Sequence, residues 1–259
     1  AGAIKEAIKK GDTSLIGVVR ILAKKRKIKG IEIEGKYWID IDTQKNLKMA
    51  EKLLLSGLIK SEDGFISRYF NRKISLQISK KLCNFDIKPS AITVISFLLS
   101  ILAAYFFTYT SYMYILLAGI IIQAASIIDG CDGEIARLKF QSTSFGAWFD
   151  TILDRYADVA VVTAISYEYW LLHEDIIAWI IGIIAATGFI LASYTRKEFF
   201  IRYKKGISPD IISKLAKRDF RLFGIFLGAI LGYPFEAMAC LAIIHHGVIF
   251  WQFLKIMRR

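Results

Sequence analysis

Cysteine is scarce in this sequence: Cys83, Cys131 and Cys240 are the three in 259 residues, widely separated and without a CxxC spacing. A disulfide framework, a zinc-thiolate site and a dithiol redox pair are excluded, and all three cysteines read as reduced packing residues. No apolar run precedes residue 90, so no signal peptide is visible, and a start on Ala1 rather than methionine leaves the natural N-terminus open. A separate basic domain is also missing, since the net charge of +12 sits on Lys and Arg crowded beside long apolar runs. That placement fits attraction to anionic lipid and argues against a nucleic-acid partner. What is plentiful is apolar character: 55% of residues are hydrophobic and 14% aromatic, more than an ordinary soluble domain carries. The expectation is an all-α integral membrane protein with a small N-terminal appendage.

Residues 1–62 are polar and mixed in charge, with helical spacing over Ile4–Lys9 and Gln44–Leu55. Between them Ile31–Glu34 alternates as a strand should, and Gly35-Lys36 turns it towards a second strand, Tyr37–Ile41. A small cytosolic α/β piece is expected, with a weak core of its own. Over residues 63–85, Ile66, Tyr69, Phe70, Ile74, Ile78 and Leu82 recur at helical spacing among Arg68, Arg72, Lys73, Lys80 and Lys81. This pattern predicts an amphipathic helix at the membrane surface, the alternative being a solvated helix packed on the N-terminal piece.

Residues 86–259 form the membrane domain. Six apolar stretches, near 91–109, 112–128, 145–167, 176–194, 220–232 and 235–254, predict six transmembrane helices, the fifth of them short. Connections after the first, third and fifth stretches lack Lys and Arg, whereas the others are basic, so both termini are expected to be cytoplasmic in a multi-pass cell-membrane protein. Gly224, Gly228 and Gly232 repeat every fourth residue and read as a helix-packing stripe rather than a dedicated dimer seam. The adjacent His245-His246 point about 100° apart on a helix and cannot easily share one metal.

The chemistry is concentrated at the end of the second stretch, where Asp129-Gly130-Cys131-Asp132-Gly133-Glu134-Ile135-Ala136-Arg137 is followed by Gly146, Asp150 and Asp154. Four carboxylates at membrane depth are costly unless paired, hydrated or coordinated. Asp129 and Asp132 are three apart and Asp150 and Asp154 four apart, so each helix offers a ledge of two carboxylates on one face. Consecutive helices joined by a short connection run antiparallel and bring such ledges together. All-oxygen ligands suit magnesium or manganese, with calcium also able to bind, and two ions per site could neutralise a diphosphate. Arg137 adds a fork suited to phosphate, and Asp154, one turn deeper than Asp150, is the expected base for an attacking alcohol.

The run Asp-x-x-Asp-Gly-x-x-Ala-Arg, eight residues, then Gly-x-x-x-Asp-x-x-x-Asp resembles the motif of the CDP-alcohol phosphotransferases, with every fixed position filled by Asp129, Asp132, Gly133, Ala136, Arg137, Gly146, Asp150 and Asp154. The resemblance covers roughly residues 86–256. It implies six transmembrane helices and transfer of a phosphoalcohol group from a CDP-alcohol to an acceptor hydroxyl with release of CMP. It also implies metal ligation by Asp129, Asp132 and Asp150, extended here to Asp154, with Asp154 as catalytic base. Nucleotide contacts are expected from Asp129, Asp132, Gly133, Ala136, Arg137 and Gly146, joined by Thr143 and Thr93. Thr93 ends a Pro89-Ser90-Ala91-Ile92-Thr93 run in which Ser90 departs from the family's usual Asn.

Further resemblances concern the flanks. Tyr37–Thr43 followed by a helix is similar to the end of sugar-nucleotide nucleotidyltransferases, whose glycine-rich nucleotide-binding start is absent from the residues before it. Together with Asp63–Arg72 it resembles the junction in archaeal proteins that join an inositol-phosphate cytidylyltransferase domain to a di-myo-inositol phosphate phosphate synthase domain. Arg196 resembles a basic position that serves the acceptor's phosphate in phosphoinositol-type relatives, and Ser193 and Lys197 beside it complete the expected acceptor site. Membrane lipids are expected partners, as is a second copy in a homodimer through the membrane helices. The competing reading is a multi-pass cation transporter using intramembrane aspartates. Such a carrier would place its acids nearer the bilayer midplane and has no need for Gly133, Ala136 and Arg137.

Overall fold

The computed structural model describes residues 2–31, 38–59, 63–203 and 211–257. These group into two compact units, Ala1–Ala50 and Glu51–Arg259.

In the first unit, α1 (Gly2–Lys9) and α2 (Leu15–Lys24) form a helical pair that buries Ala7 and Ile21. Ser14 caps α2 by accepting the Gly17 amide at 3.1 Å, and its own hydroxyl and amide donate to the Asp12 carboxylate. α2 lies outside the expected helices, whereas α1 and α3 (Gln44–Gly57) fall where helical spacing places them. Most of the expected strand pair, residues 32–37, lies outside the described residues. Its described remainder, Ile31 and Trp38–Ile41, is irregular, and no strand occurs among the described residues.

In the second unit a π-helical turn, Ser67–Asn71, leads into α4 (Arg72–Leu82), followed by α5 (Pro89–Phe107), α6 (Tyr112–Leu138), α7 (Ser144–His173), α8 (Ile177–Tyr203), the short α9 (Ile211–Leu215), α10 (Arg218–Leu231) and α11 (Pro234–Met257). Pro89 and Pro234 open their helices, where the missing amide hydrogen costs nothing. Gly232 ends α10 at φ +80, a left-handed conformation that a side chain would strain. Its amide returns to Ala229 and the Tyr233 amide to Gly228, so the chain turns straight into α11.

Among the described residues four helices, α5, α6, α8 and α11, are long and apolar enough to cross a membrane. α7 is long but carries Asp150, Asp154, Arg155, Asp158 and Glu168, and α10 has only 14 residues. α6 lies against α4, α5 and α10, α7 against α5 and α8, and α11 against α8 and α10. Small residues set these approaches. A methyl on Gly119 would come 2.5 Å from the Ala229 Cβ, and one on Gly228 would collide with Ala237. The glycine stripe of α10 therefore serves packing within one chain. His245 and His246 each pair a ring nitrogen with a backbone carbonyl, Leu241 at 2.8 Å and Ile184 at 2.9 Å. The core between the helices is built from Phe107, Ile122, Ile165, Phe189, Ile225 and Met238, all essentially inaccessible.

Candidate functional site

The connection between α6 and α7 is short, and Thr143 ends it by capping α7: its hydroxyl oxygen accepts the Gly146 amide at 3.0 Å. This turn brings the two acidic ledges together. One oxygen each from Asp129, Asp150 and Asp154 lie within 4.8 Å of one another. Asp132 stands outside that trio. Its Oδ2 accepts the Thr93 hydroxyl at 2.6 Å, and the Gly133 amide donates to its Oδ1. One turn along α5, Ser96 donates to Asp129 Oδ1 at 3.3 Å, so α5 supplies a hydroxyl to both aspartates of the α6 ledge. Asp150 Oδ1 is buried with no hydrogen-bond partner. An all-oxygen set with one buried oxygen lacking a donor suits a hard divalent cation, so these residues fit such an ion.

Arg137 curls over its own helix, its Nη1 lying 3.2 Å from where a Cβ on Gly133 would stand. Its Nε and Nη2 are buried without a partner, leaving donors to offer a phosphate. Ala136 lies half-buried between Glu134 and Arg137 on the same stretch of α6.

The acceptor residues expected on α8 divide. Ser193 accepts Arg155 Nη1 at 2.6 Å and Lys197 donates to Thr151 at 2.9 Å, which ties both to the acidic stretch of α7. Arg196 donates to the Ala216 carbonyl at 3.3 Å, beside the start of α10.

Sequence reasoning missed the basic half of the site. Arg218 Nη1 lies 3.0 Å from Asp129 Oδ2 and 2.8 Å from Asp154 Oδ1, and its Nε is 3.5 Å from Asp158 Oδ1. Arg221, fully buried, meets Asp158 Oδ2 at 2.5 Å and rests on the Phe189 ring at 4.6 Å. Arg155 reaches Asp158 at 3.3 Å and Asp154 at 3.5 Å. Asp158 thus collects three guanidinium groups. Buried charges survive only when paired in this way. The available signal was that Asp158 and Arg221 fall inside apolar stretches, where an ionisable residue marks function by default.

The family model described as CDP-alcohol phosphatidyltransferase matches residues 87–252. A bifunctional IPC transferase and DIPP synthase from Aquifex aeolicus is 36% identical over 86% of this chain and 51% of that protein. The chain spans about half the length of the relatives of that name. The phosphatidylinositol phosphate synthase of Mycobacterium tuberculosis, solved with CDP-DAG bound, superposes with a TM-score of 0.59 at 20% identity, covering 70% of this chain and 92% of that one. The same synthase in complex with manganese and citrate gives 0.58 at 19% identity, over 71% and 88%. At these identities the likeness shows the fold. With the family model spanning residues 87–252 and all eight fixed motif positions filled, the chain belongs to the CDP-alcohol phosphatidyltransferase family.

Proposed function

We propose that this protein transfers a phosphoalcohol group from a CDP-alcohol to an acceptor hydroxyl, releasing CMP. The observation that carries the reading is the convergence of Asp129, Asp150 and Asp154 within 4.8 Å, from two helices, beside the unpartnered donors of Arg137. Arg137, with Gly133, Ala136, Gly146, Thr143 and Thr93 around it, orients the nucleotide. Asp154 accepts the proton of the acceptor hydroxyl as its oxygen bonds to the phosphorus bearing the alcohol. The bond from that phosphorus to the bridging oxygen breaks, and CMP leaves with the electron pair. Asp129, Asp132, Asp150 and Asp154 would hold two magnesium or manganese ions, which would supply neutralisation of the diphosphate and of the departing phosphate. Ser193, Arg196 and Lys197 hold the acceptor.

The likeness to the Aquifex relative, together with the Asp63–Arg72 junction, supports a CDP-inositol donor and an inositol phosphate acceptor. In this reading all six helices from α5 to α11, excepting the short α9, cross the membrane. α7 and α10 turn their charges towards each other rather than towards lipid, as Arg218, Arg221 and Asp158 illustrate. Residues 1–62 form a cytosolic piece, 63–85 an interfacial helix and 86–259 the catalytic domain. Both termini and the site face the cytoplasm, and two copies associate through membrane helices.

Ligand that binds only the native state raises its melting point. CMP together with Mg2+ is therefore expected to raise the thermal midpoint of the detergent-solubilised protein more than either alone. A midpoint indifferent to CMP contradicts the reading and favours a cation carrier.

A further inference from the structure

Glu134 occupies a position in the motif that the family pattern leaves open, yet it is completely inaccessible to solvent. Three donors from one face of α4 converge on it: Arg72 Nη1 at 2.5 Å, the Ser75 hydroxyl at 2.6 Å and the Ser79 hydroxyl at 2.6 Å. Arg72 also donates to the Gly130 carbonyl at 3.2 Å, and its other edge grips both oxygens of Asp63 at 3.0 and 3.2 Å. Burial disfavours the Arg72 cation, but the hydrogen bonds to Asp63 and Glu134 outweigh it and hold its pKa above the ordinary value. One residue earlier, Asn71 donates to Ser126 at 3.1 Å and accepts from Gln123 at 2.9 Å. Gln123, Ser126, Gly130 and Glu134 share one face of α6.

At 100° per residue, Asp132 lies about 160° and Asp129 about 140° around that helix from Glu134. Any turn of α6 about its axis moves both faces together. A rotation of about 10° displaces a group about 6 Å from the axis by about 1 Å, and a misplacement of about 1 Å can cost about a hundredfold in rate. Nothing in the proton or phosphoryl transfer needs Glu134, whereas the angular setting of α6 does.

We propose that Arg72 and Glu134 are a positioning pair that fixes the rotation of α6 and thereby sets where Asp129 and Asp132 point, with Asp63 extending this hold to the segment that enters the membrane domain. The inference deepens the metal-dependent reading above and rests on it for its consequence in catalysis.

The test measures Mn2+ affinity by electron paramagnetic resonance, and amide exchange across residues 127–138, on the full chain in detergent. Glu134→Gln and Arg72→Gln are compared with the unaltered protein. Both variants are expected to bind Mn2+ about tenfold more weakly, the scale on which partners behind a ligand act, with faster exchange in α6. Long-range charge alone predicts opposite signs, because losing an anion weakens cation binding and losing a cation strengthens it. Opposite signs, or unchanged affinity in both, overturn the proposal. Should either single variant fail to fold, the double variant Glu134→Gln with Arg72→Gln keeps the net charge and removes both charges of the Arg72–Glu134 pair. It too is expected to lose affinity, and affinity equal to the unaltered protein overturns the pair. If the unaltered protein binds no Mn2+, the metal reading fails by itself. Amide exchange then decides the pair, with unchanged protection in the variants overturning it.

Discussion

Arg218 Nη1 stands 2.8 Å from Asp154 Oδ1 and 3.0 Å from Asp129 Oδ2, so a single nitrogen joins carboxylates from both motif helices. The guanidinium comes from α10, far along the chain. It offsets part of the repulsion between Asp129 and Asp154, and a divalent cation at the same carboxylates would offset it too.

Removing Arg218 should therefore make the protein lean harder on metal. Arg218→Gln is expected to lower the thermal midpoint in metal-free buffer, and added Mg2+ is expected to raise it by more than in the unaltered protein. Equal Mg2+ shifts in the two proteins would mean that Arg218 and the cation act on different groups.

Asp158 tests the buried network beneath the site. Asp158→Asn leaves Arg221, which is fully buried, without its counter-charge, and breaking a buried pair costs about 3–5 kcal/mol. The loss should appear in chemical unfolding of the reconstituted protein. A change below about 1 kcal/mol, the scale of an exposed pair, would show that the guanidinium groups find water or other partners.

The four motif aspartates should separate by role. Asp129→Asn, Asp132→Asn and Asp150→Asn are expected to abolish CMP release and weaken metal-dependent nucleotide binding, because an amide is a poor ligand for a hard cation. Asp154→Asn is expected to retain CMP and metal binding while turnover falls by about 10²–10⁴-fold, the range for loss of a general base. Equal losses of binding and rate in Asp154→Asn would make it a ligand alone.

Much of this was legible because helix signals are local. The six apolar stretches mark where α5, α6, α7, α8, α10 and α11 fall, four of them long and apolar enough among the described residues to cross a membrane, and spacing of three and four residues gives the acidic ledges. What spacing cannot give is a contact between distant residues. Asp158 and Arg221 are 63 residues apart, and Arg72 and Glu134 are 62 apart. The sequence shows Arg72 as one cation on an amphipathic helix and Glu134 as filler within a motif, and only packing of α4 on α6 makes them partners. The glycines of α10 carry the same lesson. Their stripe is plain in sequence, but what fills it, the start of α11, is a matter of fold.

Arg196 bears on the acceptor. Arg196→Ala is expected to raise the KM for a phosphorylated acceptor while CMP affinity stays nearly constant, since the residue lies on α8 rather than on the motif helices. Loss of CMP affinity would instead show that Arg196 supports the bundle, consistent with its hydrogen bond to Ala216.

The central claim meets its most direct test in CMP release from proteoliposomes supplied with Mg2+, a panel of CDP-alcohols including CDP-inositol, and candidate acceptors including inositol phosphate. Release is expected with at least one donor and acceptor pair, to depend on both the acceptor and the divalent cation, and to vanish in Asp150→Asn. CMP release that persists without divalent cation, or at an undiminished rate in Asp150→Asn, would contradict the claim.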